Sequence, residues 1–108
     1  MYFLNITEIA QEDILSAVRY IAEVLKSPMA ANTLLDNIEK EQEILEEMPN
    51  IYPFVRDEHL ASNGLKFVMI RNYALFYTVN EDEKTVNVIR FLYGRRDWQN
   101  ILKSQSNK

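Results

Sequence analysis

The segment that decides the fold is Thr85-Val86-Asn87-Val88-Ile89-Arg90-Phe91-Leu92-Tyr93, which is followed directly by Gly94-Arg95-Arg96-Asp97-Trp98. Residues 85–93 are rich in β-branched and aromatic side chains, and their alternation predicts a β-strand. Gly94 is a natural end for that strand. Because two arginines, an aspartate and the only tryptophan follow at once, the end of this strand is the first candidate for a functional site.

The composition is that of an ordinary globular protein. The chain has 108 residues, of which 47% are hydrophobic and 26% charged, and this length predicts one domain spanning residues 1–108. A membrane span needs roughly 18 uninterrupted apolar residues, which the sequence lacks, so we expect a cytoplasmic protein without a membrane partner. With no cysteine and one histidine, disulfides are excluded and a zinc site is hard to build. We expect neither a metal nor a cofactor.

Charge is divided unevenly along the chain. Residues 1–64 contain four Lys and Arg against twelve Asp and Glu, a net charge of −8, whereas residues 65–108 contain eight against four, a net charge of +4. The total of −4 and a pI near 5.0 argue against a protein that is drawn to nucleic acid from a distance. Any anion binding by the C-terminal half must therefore be local.

Hydrophobic periodicity predicts a strand and a helical hairpin in the N-terminal half. Tyr2–Ile6 resembles a short strand, and Thr7 is a suitable N-cap for the first helix. Ser27 and Pro28 end that helix and begin a second one. The buried stripe of the first helix is predicted at Ala10, Ile14, Ala17 or Val18, Ile21 and Leu25.

Three strands are predicted in the C-terminal half, at Leu65–Ile70, Tyr73–Val79 and Thr85–Tyr93, after a polar connector. Their short spacers favour antiparallel hairpins. In the last strand, one side is predicted to carry Ile89, Phe91 and Tyr93, and the other Val88, Arg90 and Leu92. Both sides are apolar, so we expect helices on one sheet face and a concave functional surface on the other.

The predicted fold class is therefore α+β. An N-terminal strand and a helical hairpin pack on an antiparallel sheet in the order β-α-α-β-β-β. Asp97 is expected to cap a short C-terminal helix from Trp98 to Lys103.

Three motifs resemble the RelE/ParE superfamily of bacterial toxins from type II toxin–antitoxin systems, over about residues 2–102. They are Met48-Pro49 with Tyr52-Pro53, the strand Arg71-Asn72-Tyr73-Ala74-Leu75-Phe76-Tyr77, and the ending Ile89-Arg90-Phe91-Leu92-Tyr93-Gly94-Arg95-Arg96-Asp97. The ending is the most specific and is close to that of ParE-like members, with Tyr93 where histidine is frequent. The resemblance implies a toxin that arrests growth and is neutralised by a cognate antitoxin, as a homodimer or a toxin–antitoxin hetero-oligomer.

The predicted active surface consists of Arg71, Tyr93, Arg95 and Arg96. Guanidinium groups are permanently charged forks for phosphate or carboxylate, and Tyr93 is the best remaining candidate for proton transfer. Additional binding residues are predicted at Lys66, Arg90, Asp97 and Trp98. Arg90 is expected on the less buried sheet face, where it extends the basic patch.

Each of these residues has a structural alternative. Arg95 and Arg96 can pair with Asp97 and the acidic helix faces, and Tyr93 can simply pack at the end of the sheet. Trp98 can clamp the tail helix. His59 is interpreted as a surface residue.

Two modes of action follow from the resemblance: ParE-like inhibition of DNA gyrase and RelE-like cleavage of ribosome-bound mRNA. Alignment with RelE-like ribonucleases places their C-terminal tyrosine on Leu102 and a frequent arginine on Ala74. That acid–base set is incomplete here, so the ParE-like mechanism is favoured. RelE-like endoribonuclease activity is the alternative, and a non-toxic binding module or decayed toxin is the third hypothesis.

Overall fold

The computed structural model describes the backbone of residues 1–106 and the side chains as far as residue 104. The predicted succession of a strand, a helical hairpin, three strands and a tail helix is confirmed. A short helix within the polar connector, α3, was not predicted. The elements are β1 (Phe3–Ile6), α1 (Glu8–Arg19), α2 (Pro28–Glu47), α3 (Glu58–Ser62), β2 (Lys66–Ile70), β3 (Tyr73–Asn80), β4 (Thr85–Tyr93) and α4 (Trp98–Ser106).

The four strands form one sheet in the order β1-β4-β3-β2. The pairs β2–β3 and β3–β4 are antiparallel, as predicted from their short connections. β1 runs parallel to β4, with Phe3 opposite Thr85 and Ile6 opposite Val88, because the helical hairpin carries the chain back across the sheet. The sheet is therefore mixed. Along residues 1–106, no helix is both long enough and apolar enough to cross a bilayer.

Side-chain caps start the helices at the expected residues. The hydroxyl oxygen of Thr7 accepts a hydrogen bond from the Ala10 amide at 3.2 Å, and that of Ser27 accepts one from Ala30 at 3.3 Å. The carboxylate of Asp57 caps α3 by accepting from the Leu60 amide at 3.1 Å. α3 has only five residues, too few for an apolar period to be recognised in the sequence.

α1 continues into a π-helical segment, Tyr20–Val24, which we call the π turn. In this segment a hydrogen bond spans five residues instead of the four of an α-helix: the Leu25 amide donates to the Tyr20 carbonyl at 3.0 Å. Lys26 then adopts a φ of 55° and ends the helical region. The predicted burial of Leu25 is wrong, because the π turn shifts the helical phase and leaves this side chain 56% exposed.

Two hydrophobic cores lie on opposite faces of the sheet. The first packs the sheet against α1 and α2, and it contains Ala10, Ala17, Leu34, Ile38, Leu45, Val68, Ile70, Leu75, Tyr77, Val86, Val88 and Phe91. The second lies beneath α3 and α4, and it contains Val55, Leu60, Leu65, Ala74, Phe76, Leu92 and Leu102. The expectation of a concave functional surface on the second face is wrong, because these two helices cover it.

A β-bulge changes the direction of the side chains along β4. Phe76 pairs with Arg90 and Tyr77 with Val88, so Ile89 is an extra residue in the ladder. As a result Phe91 lies in the same core as Val88, whereas the strict alternation predicted from the sequence placed them on opposite faces. That prediction is wrong beyond Val88.

Candidate functional site

A groove of about 1090 Å³ lies between the corner of the helical hairpin and the ends of β3 and β4. Its helical wall includes Ala17, Tyr20, Ile21, Leu25, Met29 and Leu34. Its sheet wall is formed by Tyr73, Phe91 and Tyr93, with Arg71 and Arg96 beside them. The structure thus brings together three residues of the predicted active surface, Arg71, Tyr93 and Arg96. Arg95 is exposed in the same turn as Arg96 but does not line the groove.

Gly94 holds the two arginine-bearing turns together. Its amide donates to the Asn72 carbonyl at 2.8 Å. A Cβ at position 94 would lie 3.2 Å from the Asn72 oxygen and 3.1 Å from the Met69 methyl carbon, which is closer than normal packing allows. Only glycine permits this approach without movement of the β2–β3 turn. The close approach brings Arg71, which adopts a φ of 58°, to the same groove as Arg96.

The arginines of the groove have no partner within the described structure. Among the side chains of residues 1–104, none forms a hydrogen bond or ion pair with the guanidinium of Arg71, Arg95 or Arg96. The alternative in which Arg95 and Arg96 pair with Asp97 is therefore absent from this conformation; the Asp97 carboxylate accepts from the Asn100 amide group at 2.6 Å. Unpaired, exposed guanidinium groups are well suited to bind a carboxylate or phosphate.

Arg90 belongs to the fold instead. Its Nε and Nη2 atoms donate to the two oxygens of Asp13 on α1, at 2.6 and 2.9 Å, and both side chains are 14% exposed. The Phe91 amide donates to the same carboxylate at 3.0 Å. The expected position of Arg90 on the less buried sheet face is wrong, because this bidentate pair ties β4 to α1. Asp13 lines the groove but is occupied by these three hydrogen bonds.

Three tyrosines lie around the groove. Tyr73 stacks on Phe91 with ring centroids 5.0 Å apart, and Tyr93 meets Tyr73 edge-on at 5.6 Å. Burial, and then the neighbouring hydroxyls of Tyr20 and Tyr93, raise the pKa of Tyr73. Tyr73 is consequently neutral at physiological pH and does not serve as a general base. Sequence reasoning missed Tyr20 and Tyr73 because neither belongs to the arginine-rich ending.

Lys66 lies at the start of β2 and does not line the groove. Its ammonium group donates to the Tyr52 carbonyl at 2.9 Å and lies 3.9 Å from the centre of the Phe54 ring. The side chain is 8% exposed, so it anchors the connector to the sheet.

Trp98 and His59 also lie outside the groove lining. The indole ring contacts Phe76 at a centroid distance of 5.2 Å and joins the second core, as the clamp alternative predicts. His59 is exposed on α3. Within the part of the chain that the structure describes, no three His, Cys, Asp or Glu side chains are grouped to hold a metal ion.

Residues 4–98 match the family described as the ParE toxin of type II toxin–antitoxin system, parDE. The chain belongs to the ParE toxin family. No sequence among the curated proteins matches it.

Solved structures of toxins share the fold of this ParE-family chain. One from the chromosomal ParDE TA system from P. aeruginosa has a TM-score of 0.68 and 18% identity, covering 86% of this chain and 96% of that one. The isolated E. coli RelE toxin has a TM-score of 0.57 and 20% identity, covering 97% and 99%. The intact E. coli RelBE toxin–antitoxin complex has a TM-score of 0.57 and 21% identity, covering 89% and 100%. At these identities the likeness establishes the fold, which ParE and RelE toxins have in common.

Proposed function

We propose that the chain is a single-domain cytoplasmic toxin, residues 1–108, that arrests growth by inhibiting DNA gyrase through the groove. One observation carries this proposal: the guanidinium groups of Arg71 and Arg96 are unpaired beside the groove, whereas the carboxylate of Asp13 in the groove lining is already bound by Arg90. Such a surface binds an acidic partner tightly without having to break or form covalent bonds.

RNA cleavage has stricter requirements than binding. A 2′-hydroxyl must be deprotonated and the departing oxygen protonated, so a base and an acid must both reach the phosphate. The carboxylate in the groove, Asp13, is held by Arg90. Leu102, the position implied for the C-terminal tyrosine of RelE-like ribonucleases, is 3% exposed within the second core. These features support inhibition of a protein target over RNA cleavage.

RelE-like cleavage is the competing function because of one residue. Tyr93 is 39% exposed and lines the same groove as both arginines, so its hydroxyl is accessible to a bound ligand. If Tyr93 transfers a proton, Tyr93→Phe abolishes toxicity. If the groove only binds, Tyr93→Phe leaves most of the toxicity intact.

A cognate antitoxin is the proposed physiological partner. The similar P. aeruginosa and E. coli structures come from toxin–antitoxin systems. The groove of this chain joins exposed apolar side chains, such as Met29 at 80% exposure, to two unpaired arginines. An acidic amphipathic segment of an antitoxin would cover both features.

The proposed function is tested by expressing the toxin without an antitoxin and by adding the purified protein to gyrase. We expect growth arrest, loss of negative supercoiling in plasmids from the arrested cells, intact mRNA, and inhibition of supercoiling by purified gyrase. Arrest with normal supercoiling and fragmented mRNA would identify the chain as a ribonuclease. Normal growth at good expression would leave only a non-toxic binding module.

A further inference from the structure

Tyr20 lies on the helical wall of the groove, opposite the arginine side. It is 49% exposed at the point where α1 passes into the π turn. Tyr20 and Tyr73 both line the groove, and the Tyr20 hydroxyl contributes, after burial, to the raised pKa of Tyr73. Tyr20 therefore faces the ligand space from the helices, as Tyr73 and Tyr93 face it from the sheet.

The π turn shapes the same wall beyond Tyr20. The Leu25 amide donates a hydrogen bond to the Tyr20 carbonyl at 3.0 Å, and the Ser27 amide donates one to the Ile21 carbonyl at 3.1 Å. This widened corner leaves Leu25 56% exposed and Met29 80% exposed, and both line the groove. Exposed apolar side chains that line one groove are typical of a surface for a partner, and π turns recur at functional sites.

The sheet side of the groove supplies positive charge. Arg71 and Arg96 have no partner among the side chains of residues 1–104, and Asp13 is held by Arg90. The ligand that complements both sides has an apolar or aromatic side chain for the helical wall and a carboxylate for the arginines. A protein segment combines these groups, whereas a polyanionic nucleic acid would meet an apolar wall on a chain of net charge −4.

We propose that Tyr20, Leu25 and Met29 form a target-contacting wall, and that the groove takes an acidic segment of the protein that the toxin inhibits. An apolar side chain of that segment lies against Tyr20, and its carboxylate is bound by Arg71 and Arg96. The inference rests on the proposed function, because it assigns the segment to gyrase.

The test compares three purified variants in the gyrase supercoiling assay. Tyr20→Ala removes the ring, Tyr20→Phe keeps it, and Leu15→Ala is the control, because Leu15 lies on the same helix with 50% exposure but outside the groove lining. We expect Tyr20→Ala to raise the toxin concentration for half inhibition by roughly tenfold or more, as for an aromatic hot spot. Leu15→Ala should stay within about twofold of the wild type, Tyr20→Phe should inhibit more strongly than Tyr20→Ala because it keeps the ring, and all thermal midpoints should agree closely.

The possible outcomes distinguish a failure of this inference from a failure of the proposed function. If the wild-type toxin inhibits gyrase and Tyr20→Ala inhibits equally well, the inference is overturned and the proposed function stands. If the wild-type toxin leaves gyrase unaffected, the proposed function fails and the inference falls with it. Loss of antitoxin binding by Tyr20→Ala with unchanged gyrase inhibition would assign the wall to the antitoxin and overturn the inference.

Discussion

Arg90 and Arg96 carry the same guanidinium group within one short C-terminal segment, but they lie in different surroundings. Arg90 meets the carboxylate of Asp13 in a bidentate pair in which each side chain is 14% exposed. Arg96 lines the groove, and among the described side chains it has no hydrogen-bonding partner. The difference is whether the fold itself supplies a carboxylate. Where it does, arginine stabilises the protein; where it does not, arginine is available to another molecule.

The largest expected effect is a loss of stability when the carboxylate partner of Arg90 is removed. Asp13→Ala removes the acceptor of three hydrogen bonds and leaves a largely buried guanidinium without its carboxylate. We expect the free energy of unfolding to fall by about 3 kcal/mol, measured by urea denaturation. Arg96→Ala should change it by less than about 0.5 kcal/mol. Equal losses for the two variants would show that the comparison is wrong.

A smaller effect is expected when the unpaired arginines are moved apart. Gly94→Ala forces a methyl group against the Asn72 carbonyl, so the β2–β3 turn that carries Arg71 must shift. Overpacking of this kind costs about 1 kcal/mol of stability, and we expect gyrase inhibition to weaken roughly tenfold because Arg71 is displaced.

Gly64→Ala is the matched control for that variant. Gly64 has a φ of 85°, and a Cβ at this position would have no neighbouring atom within 4 Å, so alanine strains the backbone there without displacing a neighbour. The stability loss should again be about 1 kcal/mol, but inhibition should be unchanged. Weaker inhibition by both variants would trace the effect to stability and not to the position of Arg71.

The smallest effect concerns a more exposed ion pair, between Lys103 on α4 and Asp57, with the nitrogen 2.8 Å from the oxygen. The hydrogen bond from Lys103, and then the backbone amide of Leu60, hold the pKa of Asp57 below its ordinary 3.8. A lowered pKa in the folded state gives stability that is full above the ordinary value and is lost as the pH falls through the lowered one.

Asp57→Asn tests this pH dependence, because asparagine keeps the N-cap of α3 but carries no charge. We expect its thermal midpoint to lie below that of the wild type at neutral pH and the difference to shrink below about pH 4. A difference that is constant from neutral to acidic pH would exclude the ion pair as its cause.

Features set by neighbouring residues could be predicted from the sequence. Thr7, Ser27 and Pro28 determine where the helices start. The alternation of Tyr73, Leu75 and Tyr77 places all three side chains on the sheet face that packs against α1 and α2. Features set by distant residues could not. The bulge at Ile89 and the pair of Arg90 with Asp13, 77 residues away, depend on how α1 docks on β4.

The same limit applies to the site. The sequence predicted that the ending Gly94-Arg95-Arg96 and Arg71 belong to one surface, and the structure brings Arg71 and Arg96 to one groove; their function stays a prediction. Which arginines remain unpaired, and the contribution of Tyr20 from the helical hairpin, follow from tertiary packing. The π turn has no recognisable signal in the sequence, because Ile21 and Leu25 continue the apolar spacing of α1 there, although the structure leaves Leu25 exposed.

Two double variants that remove the same charge decide whether the groove arginines bind the target. Arg71→Ala/Arg96→Ala empties the groove of guanidinium groups, whereas Arg19→Ala/Arg56→Ala removes two arginines that lie outside its lining. The measurement is the toxin concentration that half-inhibits gyrase supercoiling. We expect a loss of inhibition of roughly a hundredfold for the first pair and about none for the second. Equal inhibition by both variants, at wild-type strength, would show that the groove arginines do not bind the target.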